Sequence, residues 1–171
     1  MPRLAALCAI CLVFMACATT PPPLAGGPYA TVDHRAALDQ AARGERVRWG
    51  GTIVVTTPDE EETCFEIIDH PLDGQGRPRQ TDQTAGRFMA CAPGFFDPGV
   101  YRLGREVTVV GVLAEPRTGK IGDHTYQYPR AVAEIVYLWP ERVEDVWRPY
   151  YPDPFWYPYW YHPYYYRPWW P

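Results

Sequence analysis

The stretch RVRWGGTIVVTT, residues 46–57, decides the fold class. It alternates at period two. Val47, Trp49, Gly51, Ile53 and Val55 fall on one face, with Arg46, Arg48, Gly50, Thr52 and Thr56 on the other. That is the pattern of a half-buried strand rather than a helix. The Gly50-Gly51 pair inside it marks a sharp bend or bulge, the device by which one strand serves both sides of a closed sheet.

Outward from this strand, the middle of the chain continues in the same idiom. The charged loop PDEEE (58–62) leads to TCFEII, and a long Gly- and Pro-containing loop, DHPLDGQGRPRQTDQTAG (69–86), separates that strand from GRFMACA. REVTVVGVLAEP follows, with Gly111 as a second bend. Arg117-Thr118-Gly119-Lys120 reads as a hairpin turn into KIGDHTYQYP, and AVAEIVYLW closes the set. Five or six short strands with internal glycine bends predict a mainly β protein built as a small OB-like barrel, with a sandwich as the alternative. Ahead of it, VDHRAALDQAAR (32–43) is Ala-rich with Gly44 as a stop. It predicts one short helix, acting as a spacer or a lid on the barrel.

The flanks differ in kind. MPRLAALCAICLVFMAC opens with Arg3 and an apolar run from Leu4 to Ala16. The run matches the core of a secretory signal peptide and falls short of the roughly 20 residues that span a bilayer. With a small residue before Cys17 and a polar, Pro-rich continuation, it resembles a bacterial lipoprotein signal, although Phe14 stands where Leu is usual. The resemblance implies cleavage after residue 16 and lipidation of Cys17. More than one acyl chain, palmitate among them, gives the stable attachment that a single chain does not. Ala18 after the cysteine implies export to the outer membrane. Residues 17–31, with Pro21-Pro22-Pro23 and Gly26-Gly27-Pro28, read as a flexible tether.

At the other end, 14 of the 25 residues from Trp147 to Pro171 are aromatic and 7 are proline. Proline at this density excludes a helix and removes strand donors, so the tail is expected to be extended. Rings with one apolar body and one polar edge suit three roles: packing on the barrel, lying in a bilayer interface, or stacking on a cell-wall glycan or an envelope protein. Trp156, Tyr157, Trp160, Tyr161, Trp169 and Trp170 are the candidate contact residues. The domain plan is therefore a signal peptide (1–16), a tether (17–31), a domain over 32–146 with its barrel at about 46–140, and the tail (147–171).

VRWGG (47–51), EIIDHPLDGQGRP (66–78), GRF (86–88), GFFDPGVYRLGREVTVVG (94–111) and GKIGDHTYQYP (119–129) together resemble the Slp family of outer-membrane lipoproteins. The resemblance runs in order over about 90 residues. It implies a lipid-anchored envelope protein with no established catalytic residues to carry over, and the barrel is expected to face the periplasm. Cys64, Cys91 and the aromatic tail stand outside its motifs.

Chemistry is sparse in the pattern. The chain has 171 residues and a net charge of −4, so it carries no basic footprint for nucleic acid. No nucleophile elbow, phosphate loop or metal-type His spacing occurs, and neither an enzyme, a metal nor a cofactor is expected. Asp69, Asp73, Asp82 and Asp97, with His70 and His124 nearby, read as turn formers, with Arg77, Arg87 and Arg105 as ready ionic partners. Glu60-Glu61-Glu62 reads as a solvated hairpin tip. Cys64 and Cys91 would face an oxidising compartment, on the outer side of their strands. Whether they bond depends on whether those strands are neighbours, which spacing leaves open. The function expected is a non-catalytic structural or interaction role in the envelope. The alternative is a module that binds an oligosaccharide or other small ligand on the barrel face.

Overall fold

The computed structural model describes residues 19–143. The signal peptide, Cys17 and the aromatic tail with its six candidate contact residues lie outside the described residues. Five strands are formed: β1 Arg46–Pro58, β2 Glu62–Asp69, β3 Arg87–Pro93, β4 Glu106–Ile121 and β5 His124–Leu138. They close a barrel in the order β1-β2-β3-β5-β4, and no sandwich forms from these strands. Every pairing is antiparallel except β3 with β5.

Closure depends on β1 serving two neighbours. Its first half, Arg46 to Thr52, pairs with β4, and its second half, Gly51 to Pro58, pairs with β2. Gly51 lies where the two ladders overlap, opposite both Val107 and Asp69. A Cβ there would overlap the Ile68 carbonyl, and one at Gly50 would come within 2.8 Å of the Val107 carbonyl and of Leu72. The pair is glycine because three stretches of backbone converge on it, a reason of space rather than of φ. The second bend also occurs: the β4–β5 register shifts between Val110 and Gly111, where a Cβ would collide with the Val132 carbonyl.

The alternation of β1 holds only to Ile53. A register shift between Ile53 and Val55 moves Val55 out of the interior, where it is largely exposed. A bulge inserts one residue and so turns every later side chain to the other face. The interior is filled by Val47, Trp49, Ile53, Phe65, Ile67, Phe88, Val107, Val109 and Leu113, with small Ala90, Ala131 and Ala133 where strands crowd.

Three expectations need correction. The turn anticipated at residues 117–120 is strand: Arg117 pairs with Tyr128 and Lys120 with Thr125, and the chain reverses at Gly122-Asp123. Gly119 is needed not for a turn but for room, since a Cβ there would press on the Tyr128 ring at 2.9 Å. KIGDHTYQYP and AVAEIVYLW therefore contribute to one long strand, which makes five strands and not six.

The helix anticipated over 32–43 is instead two single 3-10 turns, Ala36–Leu38 and Gln40–Ala42, separated by Asp39 in an extended conformation. Ala37 alone of these six turn residues is buried, so the segment gains too little from packing to complete an α-helix. It does act as a lid, with Val32, Ala37 and Ala42 packed against the barrel core.

The third correction concerns the tether. In its described part, residues 19–31, it is a strap lying on the barrel. Leu24 is fully buried with Val110 and Trp139, and Tyr29 packs beside them. The Tyr29 hydroxyl donates to the Leu24 carbonyl at 2.9 Å, and the Arg46 and Arg48 guanidinium groups lie over its ring. The physical cause is in β4. Val107, Thr108, Val109 and Val110 are all buried, so that strand is covered on both faces and its outer face needs the strap.

Candidate functional site

The outer surface of β2, β3 and β5 carries the densest set of chemically versatile side chains. Cys64 and Cys91 stand directly opposite each other in the β2–β3 ladder, with their Cα atoms 4.0 Å apart, and their sulfurs are bonded. The bond lies on the outer side of the strands, since Phe65, Ala90 and Thr63 fill the other side. Beside it, the Arg87 guanidinium donates to the Glu66 carboxylate, and the Tyr128 hydroxyl donates to the same oxygen at 3.1 Å. The Tyr126 hydroxyl accepts from the Arg87 backbone N–H at 3.0 Å, and the two tyrosine rings meet edge to face at 4.8 Å. Burial and the Glu66 contact push the Tyr128 phenol above its ordinary range. The group is a closed circuit in which charges and hydroxyls already satisfy one another.

Among the described residues, one trio brings three metal-ligand atoms together: Glu62, Cys64 and Cys91. The two sulfurs are bonded to each other, which leaves a single carboxylate. The Glu60-Glu61-Glu62 stretch lies at the β1–β2 hairpin, where the Asp59 carboxylate accepts from the Glu60 N–H and the Asp59 N–H donates to the Glu62 carbonyl.

Of the four aspartates read as turn formers, Asp73 and Asp97 form turns, whereas Asp69 is not a turn residue but the last residue of β2, where it faces His34. Asp73 Oδ1 accepts from the N–H groups of Gln75 and Arg77, and Asp97 Oδ1 accepts from that of Gly99. The arginines do not pair with them. Arg77 binds Glu106 at 2.7 Å, Arg87 binds Glu66, and Arg105 reaches Glu141 at 3.6 Å. Turn carboxylates spend their lone pairs on nearby backbone, whereas a glutamate's longer stem stands clear of the chain to meet a guanidinium. His70 Nδ1 contacts the Gln83 carbonyl, and Asp82 and His70 line the same shallow polar cleft. His124 is exposed at the β4–β5 hairpin.

One pair was hidden from sequence reasoning. His34, on the lid, stacks on Trp49 with ring centroids 4.2 Å apart and lies 5.3 Å from Phe88. Its Nε2 is 3.6 Å from Asp69 Oδ1, and both side chains are nearly sealed from solvent. Burial lowers the His34 pKa, opposed by the charges of Asp69 and Asp33. Burial raises that of Asp69, opposed by His34, by the Ala85 N–H and by His70. The only local signal was a His preceded by Asp in a stretch that is otherwise Ala-rich, and nothing in it names Asp69.

The sign of the pH effect follows. With its pKa lowered on folding, His34 binds fewer protons in the folded than in the unfolded state. Its contribution is complete above about 6.5 and is lost as pH falls below that value. Asp69 acts oppositely in the acid range, where its raised pKa lets the folded state keep a proton that the unfolded state releases. The unfolding free energy measured in urea is thus expected to fall between pH 7 and pH 5.5, by no more than the one-proton limit of about 1.4 kcal/mol per pH unit. His34→Gln should flatten that slope. Parallel profiles for the two proteins would assign the slope elsewhere.

A barrel with a buried apolar interior, a disulfide and a self-satisfied ionic circuit on its outside defines a small, disulfide-bonded β domain. The chain belongs to the Outer membrane lipoprotein Slp family, which it matches over residues 14–170. It is therefore a lipoprotein of the outer membrane. It is 32% identical over 120 residues to the uncharacterized lipoprotein YeaY of Escherichia coli, covering 68% of this chain and 62% of that one. An uncharacterized protein of Haemophilus influenzae is 30% identical over 77% of this chain and 73% of its own. The outer membrane protein Slp of Escherichia coli is 28% identical over 56% of this chain and 50% of its own. The chain thus spans less than two thirds of the length of both Escherichia coli relatives.

Proposed function

We propose that this lipoprotein is a non-catalytic structural or interaction module of the cell envelope, held in the outer membrane by a diacylglyceryl group on Cys17 and facing the periplasm. The observation that carries this reading is the filled barrel. Phe65, Ile67, Phe88 and Val107 are fully buried in the interior, and the titratable pair under the lid, His34 and Asp69, is nearly sealed rather than presented to a substrate. The strand order β1-β2-β3-β5-β4, with its single parallel β3–β5 pairing, supports describing the barrel as OB-like. The tyrosines on the β2–β3–β5 surface are engaged with Glu66 and Arg87, so they speak less for an open sugar-stacking platform than for a stable face.

In this reading the tail residues Trp156, Tyr157, Trp160, Tyr161, Trp169 and Trp170 supply the contact with a cell-wall glycan or an envelope protein. In-membrane crosslinking of the full chain is expected to capture partners that a chain ending at Arg148 does not. The same partners from both would remove the tail from the proposal. Mass spectrometry of the mature protein should find an acylated N-terminal cysteine at position 17.

A further inference from the structure

The strap changes how far the barrel can stand from its membrane. A free tether through Thr31 would let the domain sit up to about 50 Å from Cys17, at roughly 3.5 Å per extended residue. Packing begins much earlier. The Thr20 hydroxyl donates to the Gly74 carbonyl, residues 22–24 form a 3-10 turn, and Leu24 is fully buried. Three residues of reach remain between Cys17 and Thr20, about 10 Å. With the lipid proposed on Cys17, so short a lead keeps the Thr20–Gly74 contact near the bilayer surface.

What lies around Gly74 can be followed through contacts. Gly74 belongs to the turn closed by Asp73, and Arg77 of that turn donates to the Pro140 carbonyl at 2.7 Å. The stretch Trp139–Glu141 is gripped from its other side by the loop that joins β3 to β4: Arg105 donates to the Trp139 carbonyl and Arg102 to Glu141. Arg77 from the Gly74 turn and Arg102 from the 94–104 loop thus both reach the Pro140–Glu141 stretch, which links the two.

That loop is unusual in what it shows to solvent. Phe96 and Tyr101 turn inward onto Phe65, sealing the barrel. Phe95, Leu103 and Val100 turn outward and are 72%, 68% and 49% exposed. Single exposed apolar residues are ordinary on any surface. Three on one short loop, linked through Pro140–Glu141 to the turn that the start of the strap touches, are a different matter.

We propose that the 94–104 loop is a membrane-docking surface, with Phe95, Val100 and Leu103 entering the interface of the phospholipid bilayer that holds the Cys17 lipid. The inference rests on lipidation at Cys17 and deepens the anchored reading. The lipid fixes the protein at the membrane, and the loop fixes which way the barrel faces. Apolar side chains in the headgroup region add the buried area that a single peripheral contact needs, and the lipid removes most of the cost of bringing them there.

The test uses the full-length lipidated protein in phosphatidylethanolamine–phosphatidylglycerol vesicles, with one spin label at a time on Leu103→Cys, Phe95→Cys or, as the distant control, Lys120→Cys at the β4–β5 hairpin. All three native residues are exposed, so the fold tolerates the labels. Flotation of the protein with the vesicles is read first. Labels at 103 and 95 are expected to lose collisions with a water-soluble nickel reagent and to gain collisions with oxygen, while the label at 120 stays open to the reagent. A protein that floats with labels at 103 and 95 as accessible to the reagent as that at 120 overturns the docking surface and leaves the anchor standing. Shielding from both reagents, with or without vesicles, would mean that a second copy or another part of the same chain covers the loop, and it also overturns the proposal. A protein that fails to float overturns the anchor reading and the docking with it.

Discussion

Phe88→Ala is expected to cost about 3–5 kcal/mol of stability, the range for removing a fully buried phenylalanine that leaves a cavity. Phe88 has no exposed surface and stands opposite Ile67 in the β2–β3 ladder. It is also the residue on which the lid rests, since its ring meets both Trp49, edge on, and His34, each at 5.3 Å. The substitution therefore opens the barrel interior and loosens the lid in one step. Urea denaturation measures the first effect, and faster proteolytic cleavage between residues 33 and 43 measures the second. Phe95→Ala serves as the comparison. That ring is mostly exposed, so its loss should change stability by no more than about 0.5 kcal/mol. Equal losses for the two phenylalanines would contradict the packing described.

Opening the cross-strand bond is the second large effect. Cys64 and Cys91 are 27 residues apart in sequence. Releasing a loop of that length restores chain entropy to the unfolded state worth about 3.5 kcal/mol. The Cys64→Ala, Cys91→Ala protein should show an unfolding free energy from urea denaturation lowered by that amount, with the loss matched in the parent protein under reducing conditions. The bond ties β2 to β3 across the long 69–86 loop, so hydrogen exchange should rise first in those two strands. Two free thiols in the purified, non-reduced protein would rule the bond out.

How much of this was legible beforehand differs from element to element. The strands were legible because each was written locally, in alternation and in glycine bends at Gly50-Gly51 and Gly111. The side to which Val55 points was not, because a single inserted residue after Ile53 reverses the alternation without leaving a mark in composition. Arg117-Thr118-Gly119-Lys120 has the residue types of a turn and yet is strand, since the space taken by Tyr128 explains Gly119 better than chain reversal does. The outward orientation of both cysteines followed from counting along their strands. That they meet required β2 and β3 to be neighbours.

The candidate sites divide in the same way. The stretch up to Cys17 that resembles a lipoprotein signal and the aromatic, proline-rich tail are one-dimensional features, readable from order and composition alone. The strap at Leu24 and the His34–Asp69 pair are not. Proline content excludes a helix for residues 19–31 but carries no information about Val110 and Trp139, which bury Leu24 from more than 80 positions away. Period, glycine placement and the end signals are local, and they were enough for a mainly β barrel at the outer membrane. Which loops press against which strands is set by apolar area shared between distant segments, and only that pairing turned an apparent tether into a strap packed on the barrel.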